Sequence, residues 1–238
     1  MSKTLVCVII TVMCVSCTAR VNGSLMADGQ ADLQIYTALE PRITRLIGAL
    51  AAASGSVKPG SPILDGPAIA ASMAHAPGIA SVSFKNTAPA AIEGPVKVAK
   101  IGDFLSAHDS KKASFIDYKQ ASSSVNGSCT INLNLDSGPE ILALISPDIT
   151  DYLSALMAPL ATGEKMTRAE YLADISAIYG SGIADEIAKA YVRAAIDFPG
   201  AIQSVKGGTF SGRRAEFAIP LADILVLENP LSYEVVWK

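Results

Sequence analysis

The chain has 238 residues, of which 50% are hydrophobic and 17% charged, which is enough apolar material for a substantial core and too much for a disordered polymer. With 19 basic and 22 acidic residues and a pI near 5.4, it has no cationic surplus to neutralise a phosphate backbone, so nucleic acid is excluded as a partner. A mean hydropathy of +0.36 fits either Ala-rich buried helices or an interior with room for an apolar ligand.

At the N-terminus Lys3 supplies a positive start, Leu5 to Val15 an apolar run, and Ser16, Cys17, Thr18 and Ala19 a small or polar ending. That order is the grammar of an export signal. Eleven residues in a helix reach only about 16 Å, half of a hydrocarbon core of about 30 Å, so the run is too short for a permanent span. The later stretch 141–161 is interrupted by Pro147, Asp148, Asp151 and Pro159.

The triplet Val15-Ser16-Cys17 after the apolar run resembles the box that ends the signal peptide of bacterial lipoproteins. Cys14 stands where the common pattern has Leu, a relaxed form similar to that of spirochaete lipoproteins. The resemblance implies that Cys17 becomes the mature N-terminus, carries diacylglycerol through a thioether and is acylated on its freed amine. Several chains, at about 0.8 kcal/mol per buried methylene, anchor firmly where one holds marginally. It also implies a bacterial cell-envelope location, and Thr18 in place of the Asp that retains enterobacterial lipoproteins at the inner membrane points to the outer one. The alternative is an ordinary secretory signal cleaved near Ala19, with Cys17 discarded. Under the lipoprotein reading the chain divides into a leader (1–16), a lipidated cysteine with a flexible tether (17–32) and one α+β domain (33–238). Cys7 and Cys14 then leave with the leader and Cys17 has no free thiol. Cys129 is left alone, without a disulfide partner and without the ligand spacing of a zinc site.

Residues 18–32 are short on large side chains and hold Asn22, Gly23, Ser24 and Gly29, a tether composition. A helix is predicted from Pro41 to Ala53, with Ile43, Leu46, Ile47 and Leu50 on one face. A Gly/Pro/Ser loop follows to Pro67, then a short helix over Ala68 to Ala76 with His75 near its end. From Ile79 to Leu135 alternation replaces helical spacing: Val82 and Phe84, Val96 and Val98, Phe115 and Tyr118, then Ile131, Leu133 and Leu135. Asn126-Gly127 reads as a type I′ turn in this antiparallel sheet, wet on one face.

Ser146-Pro147 opens a further predicted helix, with Ile149, Leu153, Leu156, Met157 and Leu160 in one stripe. Thr167 to Glu170 forms a capping box. Ser181 caps the next helix, whose Ile183, Ile187, Ala190, Tyr191 and Ala194 share a face, so that residues 167–196 read as a helical hairpin joined at Gly180. After Asp197-Phe198-Pro199-Gly200, strands are expected at Phe217 to Ile219, at Ile224 to Leu227 and from Tyr233 to Trp237, rejoining the first sheet. The class is α+β: an antiparallel sheet packed against amphipathic helices.

Catalytic signatures are missing from the sequence. His75 and His108 are its two histidines, with no G-x-S-x-G, H-E-x-x-H, Walker A loop or dinucleotide fingerprint to support them. The carboxylate pairs Asp148/Asp151 and Asp185/Glu186 each fall in a predicted first helical turn, where the dipole alone favours them. Arg213-Arg214 after Gly212 suits either an anion-holding loop or a solvated hairpin tip. The Asn22 and Asn126 sequons matter only in a eukaryotic secretory pathway. The expected protein is therefore a non-enzymatic, lipid-anchored envelope lipoprotein with a binding or structural role and no cofactor or metal. Its expected partners are membrane lipid through the anchor and an apolar ligand or envelope protein. The second class is an envelope hydrolase using His75 or His108.

Overall fold

A computed structural model of the chain describes residues 18–54, 62–75, 78–101, 115–138, 153–154 and 156–238, with no side-chain description for 51–54. The α+β class holds. Strands β1 (Thr18–Leu25), β2 (Ala31–Ala38), β3 (Ile79–Val82), β4 (Lys85–Ala88), β5 (Ala91–Val98), β8 (Tyr191–Asp197), β10 (Thr209–Ser211) and β11 (Arg214–Pro220) form one sheet. Its order is β10-β11-β8-β1-β2-β5-β3, with β4 also on β5. A second sheet has the order β6-β7-β12-β9, from Ile116–Lys119, Gly127–Leu133, Leu231–Trp237 and Ile202–Lys206. Among the described residues every pairing is antiparallel except β1 with β8.

The expected tether at 18–32 is instead the middle of the large sheet. Thr18 to Leu25 pairs residue for residue with β2 on one side, and Thr18 to Ser24 with β8 on the other. Composition misleads here because small residues suit a crowded central strand as well as a linker. Ala19 and Val21 are buried while Arg20 and Asn22 are exposed, the period-2 pattern of a half-buried strand.

Helix α1 (Pro41–Ser54) follows its predicted stripe, with Ile43 and Ile47 buried. Helix α2 (Gly66–Met73) starts at Asp65, whose carboxylate accepts from Ala68 N at 3.0 Å, and stops short of the predicted Ala76. The predicted cap at Ser146-Pro147 lies outside the described residues. Leu153, Leu156 and Leu160 of its stripe are buried. Met157, however, has φ 49° and the short α3 (Pro159–Thr162) starts afresh after it, so these residues do not share one helix.

The capping box of α4 (Arg168–Tyr179) is present on both sides. Glu170 N donates to Thr167 Oγ1 at 3.2 Å, and Thr167 N donates to Glu170 Oε2 at 2.8 Å. Helix α5 (Ser181–Lys189) is capped by Gly180, with Ser181 its first residue rather than its cap. The hairpin therefore ends at Lys189, because Ala190 turns extended and Tyr191 onward becomes β8. Val192, Ala194 and Ile196 fit a strand's inner face as well as Tyr191 and Ala194 fit a helical stripe, and pairing with β1 decides between them.

The predicted strand at Ile224 to Leu227 is helix α6 (Leu221–Val226), with five of its six residues buried. A short continuous apolar run has no period that separates helix from strand. Asn126-Gly127 does not form the hairpin turn, since Ser122 and Val125 exchange backbone hydrogen bonds around Ser123-Ser124. Gly127 instead opens β7 beneath Trp237, where a Cβ would stand 2.2 Å from the indole. The C-terminal strand joins the second sheet, while β8, β10 and β11 rejoin the first. Side chains from both sheets and the helices make one buried cluster.

Candidate functional site

Buried residues on the large sheet, such as Ala19, Val21, Ile35, Ile92, Val96 and Val192, turn one face to the core. The opposite face is wet. Register places its side chains in rows running across the strands. The first holds Pro220, Tyr191, Thr18 and Ala38, the second Ala218, Arg193, Arg20, Tyr36 and Glu93, and the third Glu216, Ala195, Asn22, Gln34 and Pro95. In the fourth, Arg214 and Asp197 on one side of Ser24 balance Asp32 and Lys97 on the other.

Charges in this face are mostly paired. Arg214 reaches Asp197 at 3.1 Å and Glu216 at 3.3 Å, Lys97 lies 3.9 Å from Asp32, and Lys85 lies 2.9 Å from Glu93. Arg20 and Arg193 differ. They sit directly opposite each other in the parallel register, on strands about 4.8 Å apart, and among the described residues neither has a carboxylate within ion-pair distance. Like charges directly opposite destabilise a sheet. Each guanidinium lies against an aromatic face instead, Arg20 at 5.8 Å from the Tyr36 ring centre and Arg193 at 5.2 Å from that of Tyr191. These cation-π contacts orient the two cations without neutralising them.

A hollow of about 690 Å³ opens beside this pair, lined by Arg20, Asn22, Arg193, Arg214, Thr209 and the Gly207-Gly208 turn among others. That turn carries the chain from the small sheet to the large one. A Cβ on Gly208 would meet Glu216 O at 2.5 Å and the Phe217 ring at 2.6 Å, so only glycine lets the wall close this tightly. Two guanidiniums, an amide and a hydroxyl along this hollow are donors suited to a phosphate or carboxylate group, and Glu216, which also lines it, is already paired with Arg214. A second hollow of about 670 Å³ lies where α1 meets α5, lined by Arg42, Arg45, Tyr179 and Asp185 among others. Both are open and carry cations together with a carboxylate, Glu216 in the first and Asp185 in the second; neither is an enclosed apolar chamber.

The residues singled out in the sequence fall as follows. Cys17, His108, Asp148 and Asp151 lie outside the described residues. His75 is exposed in the turn after α2, without a hydrogen-bond or ion-pair partner among the described residues. Glu186 serves another helix than its own, since its carboxylate accepts from Arg42 N and Ile43 N of α1 at 3.2 and 3.1 Å. Arg213 Nε donates to Phe198 O at 2.8 Å, so of that arginine pair only Arg214 lines the groove. Cys129 is partly buried on β7, and burial, with the nearby Asp117 charge, pushes its thiol up to about 11. Among the described residues no three His, Cys, Asp or Glu side chains gather as metal ligands, and no helix is long and apolar enough to cross a membrane.

Arg20 and Arg193 went unseen in the sequence because one lay in the expected tether and the other in the expected helix. The alternation Ala19-Arg20-Val21-Asn22 and Val192-Arg193-Ala194 is the signal that marks both as outward strand positions.

No family model and no curated protein matches the chain. Among solved structures it is similar to the folded domain of the LppM protein of Mycobacterium tuberculosis. That likeness has a TM-score of 0.41 and 11% identity, and covers 93% of this chain and 88% of that one. A likeness at this level fixes neither family nor activity.

Proposed function

We propose that this is a lipid-anchored lipoprotein of the bacterial envelope, acylated at Cys17, with a non-enzymatic binding role exercised through the Arg20/Arg193 groove. The leader and its Val15-Ser16-Cys17 box support the anchor. The observation that carries the binding role is the uncompensated pair of guanidiniums facing solvent across β1 and β8. Evolution of a stable sheet alone disfavours that juxtaposition, whereas an anionic ligand turns the repulsion into affinity. The ligand is thus anionic at the point of contact, whatever apolar portion it also has.

Two measurements test this. The mass of the mature N-terminal peptide from the native host is expected to show a diacylglyceryl adduct on Cys17, and a free N-terminus at Ala19 or beyond removes the anchor. Titration with glycerol phosphate, followed by NMR, is expected to move the signals of β1 and β8 in the unaltered protein and not in R20Q/R193Q. Equal shifts in both proteins remove the binding role.

A further inference from the structure

From the placement of β1 we infer that the Arg20/Arg193 pair grips the headgroup phosphates of anionic phospholipids in the membrane that holds the anchor. The inference rests on the Cys17 reading above. Thr18 is already a paired residue of the central strand, so an acyl anchor on Cys17 has no tether in which to stand off. The end of the sheet bearing Thr18 is therefore held against the bilayer.

Rows on one strand face are two residues apart, about 6.8 Å. The arginine row thus lies about 7 Å beyond Thr18, the residue that follows the proposed anchor in sequence. A headgroup layer occupies about 5–8 Å on each side of the hydrocarbon core, and a flexible arginine can lean back toward that depth while its stem stays on less polar surface.

Composition follows the same axis. The row nearest the anchor carries no charge and presents Tyr191 beside Thr18. The next row holds the two guanidiniums that lack an ion partner, Tyr36, and Glu93 paired with Lys85; the third carries Glu216 paired with Arg214, and the row farthest away is balanced in charge. Tyrosine near the boundary and arginine at phosphate depth is how a protein face meets a bilayer. A face built for a soluble protein partner has no reason to grade its charge by distance from the first strand residue. Sheet and lipid are also complementary in sign, since the local excess is positive and the leaflet is negative.

The test uses the acylated protein, processed from the full precursor and reconstituted into phosphatidylcholine vesicles with or without phosphatidylglycerol. A photoreactive phenylalanine analogue replaces Ala218, an exposed neighbour of Arg193. Cross-linking to lipid is expected to rise several-fold when phosphatidylglycerol is present. It should fall about fivefold for each of R20Q and R193Q, and stay unchanged in K119Q, whose lysine lies on the second sheet and is paired with Asp117. Cross-linking that ignores lipid charge or survives the double substitution overturns the inference while leaving the anchor intact. Suppression by free glycerol phosphate at the concentration of vesicle phosphate overturns it in favour of a soluble phosphate ligand. A chain that a high-salt wash strips from the vesicles overturns the anchor and the inference together.

Discussion

Glu186 belongs to α5 yet ends the exposed N–H groups of α1, 143 residues earlier in the chain at its nearest contact. Helix α1 has no acidic residue of its own in its first turn, so the cap is supplied by tertiary structure. Replacing Glu186 by Ala leaves two backbone donors in search of water and is expected to cost about 1 kcal/mol, read as a lower midpoint in urea denaturation with unchanged slope. Had the residue served only its own helix dipole, as its sequence position suggested, the loss would be a few tenths of that. Cys129 offers a residue-scale test against pH. Its folded pKa of about 11 is raised above the unfolded value of about 8.5. Its contribution to stability is therefore complete below about pH 8.5 and is lost as pH rises through about 11. At pH 8 the folded protein is expected to resist iodoacetamide and the urea-unfolded chain to react. The fall in stability between those pH values should shrink in C129A.

At the scale of elements, what was legible depended on whether local chemistry left one solution or two. The box Thr167 to Glu170 has a reciprocal hydrogen-bond geometry that no strand or turn reproduces, and it appears where its letters predict. Hydrogen bonds from Thr167 hold the Glu170 carboxyl below the usual carboxylate range. Because the folded pKa is depressed, this contribution is present above the unfolded pKa and disappears as pH falls through the folded one. In T167A the Glu170 carboxyl resonance is expected to titrate at higher pH than in the unaltered protein, and an unchanged titration would show the box to be broken in solution. Elements with two solutions were misread. Residues 191–196 satisfy both periods, and the alanines tilt a local reading toward helix, but the edge of β1 required a parallel partner. Leu221–Val226 has no polar face to mark its period at all, and Asn126-Gly127 spends its glycine on Trp237 rather than on a turn. Substituting Ala for Gly127 is expected to cost about 1–3 kcal/mol by forcing Trp237 from its place, visible as altered near-ultraviolet circular dichroism.

For the molecule as a whole, the larger consequence of β1 is that the proposed anchor at Cys17 is one residue from a paired strand. The site was illegible for the same reason as the tether: both required knowing that residues 18–25 are sandwiched between β2 and β8, a fact of long-range pairing that local composition does not hold. Two alterations separate tether from strand. Deleting residues 18–25 would be harmless to a linker-borne domain. Here it removes the strand that joins β2 to β8 and splits the large sheet, so cooperative thermal unfolding is expected to disappear. Inserting a flexible Gly/Ser segment of about 15 residues between Cys17 and Thr18 does the reverse. The sheet keeps every pairing and its melting temperature, but the domain gains up to about 50 Å of freedom. If headgroup contact depends on an anchor fused to the sheet, lipid cross-linking from position 218 is expected to fall several-fold in the insert variant while its vesicle retention in high salt stays unchanged. Undiminished cross-linking would mean that the arginine row finds lipid by affinity alone, and that the absence of a tether is incidental to it.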